Sequence, residues 1–267
     1  MSVWERNNVQ VVGRSGPPMI LAHGFGCDQN MWRFIVPAFE DRYRVVLFDH
    51  VGMGQSDASA YDIGRHASLA GYAHDVLEIC RALRLERPIF VGHSVSAMIG
   101  VLAAIAVPDY FGELVLVSPS PRFIDDGDYV GGFSREQVED LLDFLDANYL
   151  GWSRATAPLI MGNPDRPELT EELANSFCRS DPEIAKRFAR VTFLADHRAD
   201  LPHVRRPTLV LQSSADALAP PSVGEYVHRH IEESTLVVLR ATGHCPHLAA
   251  PAEVSEAIDM FLRRGRG

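Results

Sequence analysis

The chain is poor in positive charge. It carries 25 lysines and arginines against 35 aspartates and glutamates, a formal net charge of −10 over 267 residues. Proteins that neutralise phosphate backbones need clustered Lys and Arg, so this balance argues against nucleic acid as a partner. Cysteine is also scarce. Cys27, Cys80, Cys178 and Cys245 are widely spaced, with no C-x-x-C pair and no regular framework, which predicts free thiols in a reducing compartment. The opening MSVWERNNVQ lacks both the basic region and the apolar stretch of a secretory signal, and a cytoplasmic location is expected. Repeats and low-complexity linkers are missing as well. A single run, PIFVGHSVSAMIGVLAAIAVP at 88 to 108, is uncharged and long enough to suggest a membrane span. Pro88 and Pro108 bracket it, and Gly-His-Ser breaks it after four apolar residues. It therefore reads as a buried strand followed by a buried helix, with no membrane segment.

What the sequence does contain is ordinary globular material, 46% hydrophobic and 22% charged, in a chain long enough to bury a sizeable core. Short β-branched runs alternate with longer helical patterns, the signature of βαβ units and a mostly parallel sheet. VQVVG reads as an edge strand, while PMILAHG (18 to 24) and RVVLFDH (44 to 50) are continuous apolar runs suited to strands covered on both faces. Between them DQNMWRFIVPAF has helical spacing, with Asp28 as its N-cap. SLAGYAHDVLEICRALRL (68 to 85) places Leu69, Tyr72, Ala73, Val76, Ile79, Cys80 and Leu83 on one stripe, an amphipathic helix. After ELVLVSP the pattern changes. Residues 120 to 203 read as helices, among them SREQVEDLLDFLDANYL, TEELANSFC and DPEIAKRFARVTFL, each opening on a capping Ser, Thr or Asp. Alternation resumes with PTLVLQSS, PSVGEYVHRHI, STLVVLRA and PAEVSEAIDMFLRR. The expected organisation is an α/β core of residues 1–119 and 204–267, divided by a helical cap of residues 120–203 over the strand edge where such sheets bind ligands.

The chemistry is expected at those strand ends. Gly92-His93-Ser94-Val95-Ser96 sits where a buried strand turns into a helix, the context of a nucleophile elbow. The turn lifts the Ser94 hydroxyl above the sheet and aims the first N–H groups of the helix at the same point. The motif departs from its usual form by ending in Ser96, where Gly is customary. A serine needs a base, and the base needs a carboxylate to orient it. In chain order the acid and then the histidine follow the elbow. His197, His203, His228, His230, His244 and His247 all follow Ser94. His228 and His230 fall in a helical pattern and suit a solvated face, whereas His244 in ATGHCPH follows a strand and a flexible glycine. Asp216 in LVLQSSADALAP follows the preceding strand; the competing reading is an Asx turn ahead of Pro220. Asp196 and Asp200 satisfy the order alone and lie in the cap-like segment. LAHGFGCD supplies a glycine-rich loop with the Phe25 N–H as one oxyanion donor, the Val95 N–H as the other, and His23 as an ordering residue. Zinc at His244, Cys245 and His247 lacks a clear fourth ligand, so no metal is expected.

HGFGCDQNMW, LFDHVGMGQSD, GHSVSAMIG and ATGHCPH resemble the α/β-hydrolase family that includes the bacterial stress-response regulator RsbQ, and are similar to the plant karrikin and strigolactone receptors. The resemblance continues through YVGGFSREQVEDLL, NYLGW, FCRSDP and DHRADL. It implies an α/β-hydrolase fold with a four-helix cap, a Ser94, Asp216, His244 triad, and no cofactor. It also implies an apolar pocket lined by Phe25, Phe133, Trp152 and Phe193; aromatics at such spacing are otherwise core residues. A small, largely apolar ester or lactone suits that pocket. Two functions follow. One is a serine hydrolase with slow turnover behind its cap; the other is a ligand sensor that reports to a protein partner, by resemblance a PAS-domain phosphatase of the stress response. A monomer is the default expectation.

Overall fold

The computed structural model describes residues 1–264. Its strands are β1 (Gln10–Val12), β2 (Pro18–Ala22), β3 (Arg44–Phe48), β4 (Ile89–His93), β5 (Leu114–Val117), β6 (Thr208–Ala215) and β7 (Ser234–Thr242). They form one sheet in the order β1-β3-β2-β4-β5-β6-β7. The edge strand β1 runs antiparallel to β3, and all other pairs are parallel. The continuous apolar runs have the meaning expected of them: alternate residues feed two separate cores. Ile20, Val46, Phe90, Leu116 and Val210 pack on one face. Met19, Leu21, Val45, Val91, Val115 and Leu211 pack on the other. A strand with helices on both sides has no polar face to keep.

The helices are α1 (Val3–Arg6), α2 (Leu69–Ala82), α3 (Val95–Ala106), α4 (Arg135–Ala147), α5 (Tyr149–Met161), α6 (Pro167–Cys178), α7 (Pro182–Phe193), α8 (Pro221–His230), α9 (Pro246–Ala249) and α10 (Pro251–Arg264). α2 and α3 cover the first face, and α10 buries Val254, Ile258 and Leu262 against the second. Four helices, α4 to α7, lie between β5 and β6 in the chain. No helix among the described residues is long and apolar enough to cross a membrane. The uncharged run 88 to 108 divides into β4 and α3, as its Gly-His-Ser break predicts.

Local details differ from the sequence reading in three places. The run after Asp28 does not form one helix but two 3-10 turns, Gln29–Trp32 and Val36–Ala38; Asp28 does cap the first, accepting from Asn30 N at 2.9 Å. Pro37 has no N–H to continue a helical ladder. The pattern from Ser134 to Leu150 breaks at Asn148, which ends α4 and caps α5 by accepting from Gly151 N at 2.9 Å. Thr170 does not start its helix. α6 begins three residues earlier at Pro167, whose missing N–H costs nothing at that position. Ser134 and Asp181 cap α4 and α7 as predicted.

Candidate active site

β4 ends at His93, α3 begins at Val95, and Ser94 alone makes the turn, with φ 56° and ψ −120°. A non-glycine residue in that region costs of order 1–3 kcal/mol, so the surroundings must hold it there. The Ser94 N–H donates to Val117 O at 2.9 Å, and its carbonyl accepts from Ala97 N at 2.9 Å. Glycine at position 92 is required by space: a Cβ there would lie 2.4 Å from the Ser96 carbonyl oxygen.

Ser96, the departure from the usual motif, is fully buried. Its hydroxyl donates to the His23 carbonyl and lies 2.8 Å from His50 Nε2. His23 Nε2 in turn accepts the His50 N–H at 3.0 Å. These bonds join the loops after β2 and β3 to the elbow, which is a use for a hydroxyl that glycine cannot supply. Burial lowers the pKa of both His23 and His50, which keeps them neutral.

Ser94, His244 and Asp216 come together from the ends of β4, β7 and β6. His244 Nε2 lies 2.7 Å from Ser94 Oγ, and His244 Nδ1 lies 2.7 Å from Asp216 Oδ2. A carboxylate only accepts, so Nδ1 carries the proton and Nε2 accepts from the serine hydroxyl. Asp216 Oδ1 accepts from the N–H groups of Leu218 at 2.9 Å and Ala219 at 3.1 Å. The Asx turn and the histidine contact are therefore made by the same carboxylate, one oxygen each. His93 Nε2 donates to the His244 carbonyl at 2.7 Å, which anchors the imidazole's backbone. Burial, with His247 and His244 nearby, pushes the His93 pKa well down, so this donor stays neutral.

The rival acids are engaged elsewhere. Asp196 is bound by Arg122 and Arg198, and the hydrogen bonds from Arg198 help to hold it down at about 2. Asp200 accepts from His197 Nδ1 at 2.8 Å. His228 and His230 are not merely solvated: His228 Nδ1 meets Ser234 Oγ at 2.8 Å, and His230 stacks on Tyr226 with centroids 3.9 Å apart. His247 packs tilted against Trp32 and His93, with ring centroids 4.6 and 4.4 Å away, and burial lowers its pKa to about 3. Among the described residues no group of three or more His, Cys, Asp or Glu side chains is arranged to hold a metal ion.

The loop after β2 passes close beside the elbow. A Cβ on Gly24 would lie 2.5 Å from His93 Nδ1 and 3.4 Å from Ser94 Cβ, so only glycine lets the Phe25 backbone approach. The N–H groups of Phe25 and Val95 have no hydrogen-bond partner among the described residues.

Ser94 and His244 open onto a cavity of about 30 Å³. Phe25, Trp152 and Phe193 line it, as the resemblance implies. Phe133 does not join them. Its backbone pairs with Phe123, donating at 3.2 Å, and the Phe123 ring takes the place on the wall, 5.0 Å from Phe193. Sequence reading also missed Phe177, Leu173, Thr192 and Leu218 on the wall, and the thiols of Cys27 and Cys245. Burial pushes both thiols up, so they remain protonated and act as soft apolar surface. Phe25 is the centre of an aromatic cluster, 6.0 Å from Trp152, 6.0 Å from Phe177, 5.8 Å from Phe188 and 6.1 Å from Phe193. Trp152 Nε1 and Thr192 Oγ1 are buried with no hydrogen-bond partner among the described residues. A larger groove of about 590 Å³ opens beside β1, lined by Asn8, Gln10, Arg33 and Arg179 among others. It contains none of Ser94, Asp216 and His244, so size alone does not mark the site.

The comparisons with known proteins agree with this architecture. A family model described as the alpha/beta hydrolase fold matches residues 17–251. The karrikin insensitive 2 receptor CA of Petunia hybrida is 40% identical over 262 residues, covering 98% of this chain and 96% of the relative. A strigolactone esterase of Arabidopsis thaliana is 40% identical, with 98% and 97% covered. Among solved structures, a hydrolase from Oleispira antarctica superposes with a TM-score of 0.95 at 43% identity, covering 98% of this chain and 96% of that one. A sheet of this order, an elbow at the end of β4 and end-to-end likeness to these proteins have one explanation: the chain belongs to the α/β-hydrolase family.

Proposed function

We propose that the chain is a serine hydrolase for a small, largely apolar ester or lactone, with Ser94, His244 and Asp216 as its triad. The observation that carries this reading is the continuous hydrogen-bond relay from Ser94 Oγ through His244 to Asp216 Oδ2, each step 2.7 Å. In the reaction, His244 Nε2 takes the Ser94 proton as Oγ attacks the substrate carbonyl. The N–H groups of Phe25 and Val95 receive the oxyanion. Asp216 holds the tautomer and stabilises the imidazolium; the proton on Nε2 then passes to the leaving alcohol. Water, activated by the same nitrogen, releases the acid and restores Ser94. The residues themselves supply every proton transfer, and no cofactor enters the scheme. The apolar wall of Phe25, Phe123, Trp152, Phe177 and Phe193 suits a ligand with few polar groups, and relatives are described as a strigolactone esterase and karrikin receptors.

In this reading residues 120–203 act as a lid. Ligand pockets ordinarily measure about 300–1,000 Å³, and a cavity of about 30 Å³ admits no ester until α4 to α7 or their side chains move. That closure favours a second role for the same chemistry. A ligand that must displace the lid to react also changes the surface a partner meets, as in a sensor reporting to a PAS-domain phosphatase in the cytoplasm. Turnover is slow because each cycle includes opening.

A fluorophosphonate probe followed by intact-mass and peptide analysis tests the assignment. We expect one adduct, on Ser94, and none in Ser94→Ala or His244→Ala. An adduct on Ser118 or Ser120, or no reaction with folded protein, overturns it.

A further inference from the structure

Thr192 lies near the C-terminal end of α7 and is 4% exposed. A threonine in a helix usually turns its hydroxyl back onto the carbonyl one turn earlier. Thr156 in α5 does so, donating to Trp152 O at 2.8 Å. Thr192 does not; its Oγ1 is buried with no partner among the described residues, and the residue is one of those that line the cavity, next to Phe193. Leaving a buried hydroxyl unpaired costs the full desolvation of that group. Valine has nearly the same shape, carries no such cost, and would match the neighbouring apolar wall. Away from Ser94, His93 and His244, the side chains lining this wall offer the Thr192 hydroxyl and the Trp152 indole N–H as full-strength hydrogen-bonding groups, beside the weak thiols of Cys27 and Cys245. The indole only donates, whereas the hydroxyl both donates and accepts.

We propose that Thr192 determines substrate choice. Its hydroxyl recognises an oxygen that the substrate carries some atoms away from the scissile carbonyl, so the preferred class is an oxygenated ester or lactone, bearing an ether or second carbonyl, over a plain hydrocarbon ester of equal length. The proposal rests on the hydrolase reading and narrows it. Sites that hydrogen-bond a substrate oxygen discriminate against the analogue lacking it, because the protein's own group is then left unpaired.

The test uses two nitrophenyl esters of equal chain length, 3-methoxypropanoate and pentanoate, which differ by an oxygen in place of a methylene. The ratio of their kcat/KM values is measured in the wild type, Thr192→Val and Thr192→Ser. Intrinsic ester reactivity cancels when the ratios are compared between proteins. We expect the preference for the methoxy ester to fall by about tenfold in Thr192→Val and to persist in Thr192→Ser. Equal ratios in all three proteins, within twofold, overturn the proposal. Should Thr192→Val fail to fold, Thr192→Ala against Thr192→Ser makes the same comparison. In Ser94→Ala the ligand-induced thermal shift with the same two esters reads binding alone, so the proposal is decided even without turnover. Labelled, active wild type with flat ratios sinks the role of Thr192; unlabelled wild type sinks the hydrolase reading itself.

Discussion

Ser94, Asp216 and His244 hang from strand ends, whereas Trp152, Phe177, Thr192 and Phe193 reach the same cavity from helices inserted between β5 and β6. The first group is held by backbone. Ser94 is tied to Val117, Gly243 to Ala215, and Asp216 to the amides of Leu218 and Ala219. The second meets the core through side chains, with Phe25 against four aromatic rings, Tyr72 stacked on Phe188 and the ion pairs Arg33 with Glu172 and Arg179 with Asp28, and also through backbone, with the His244 N–H donating to Ile160 O at 2.8 Å. The aromatic rings around Phe25 are close-packed and buried, while the partly exposed ion pairs contribute little to holding the two groups together. The site is thus assembled from two layers of elements, the sheet and the inserted helices.

The largest expected effect tests which layer supplies the acid. Asp216→Asn should lower ester hydrolysis by about 10⁴, the loss seen when other triads lose this carboxylate. Asp196→Asn, in the inserted segment, should change it by only a few fold. Steady-state rates on a short nitrophenyl ester decide this, and a reversed pair would move the acid into the insertion.

Core truncation should separate the layers next. Leu116 is fully buried in β5, and Leu116→Ala should cost about 2–5 kcal/mol in chemical denaturation. Leu173 of α6 already borders a cavity. Leu173→Ala should cost less and should raise the rate on longer acyl esters relative to acetate. Equal stability losses with unchanged chain-length preference would erase the distinction.

Acid should destabilise the fold through its buried core histidines. Burial depresses the pKa values of His50 and His93 well below the usual imidazole value, and that of His247 to about 3. Below about 6.5 the unfolded chain binds protons that the native histidines refuse, so stability falls as pH drops and continues to fall toward the folded pKa. His247 alone is worth about 2 kcal/mol between pH 6.5 and 5 by this linkage. Denaturation midpoints should decline over that window, and less steeply in His247→Phe. A flat profile would show that these rings charge freely in the fold.

The smallest effect concerns the contact between the layers. Arg179 is half-exposed, and a pair of this kind contributes about 0.2–1 kcal/mol. Arg179→Ala should leave the melting temperature nearly unchanged while quickening trypsin cleavage within residues 120–203. A large global destabilisation with no change in cleavage would mean that the two layers open only together.

Much of the sheet and its strand ends was readable without coordinates because it obeys local rules. Paired apolar runs, a glycine-serine break between strand and helix, and an Asp and a His after successive strands all have near-sequence signatures. Ser96 was visible as an anomaly, but its reason lay 73 and 46 residues away, at the His23 carbonyl and the His50 ring. The insertion was less legible. Helical periodicity located it, yet the break at Asn148 and the start at Pro167 depend on which carbonyls and amides find partners.

Composition and order along the chain determined the sheet, its two buried faces and the identity of the three residues at the strand ends, since each follows from the periodicity of apolar residues and the backbone needs of a sharp turn. Only the tertiary structure decided what faces the cavity. Phe133 and Phe123 are ten residues apart and chemically identical, and a backbone pairing across their loop puts Phe123 on the wall. Thr192 is one polar residue on an amphipathic helix until its hydroxyl is seen to have no carbonyl to bind. Side-chain direction within a packed insertion is set by neighbours distant in sequence, and no local pattern encodes it.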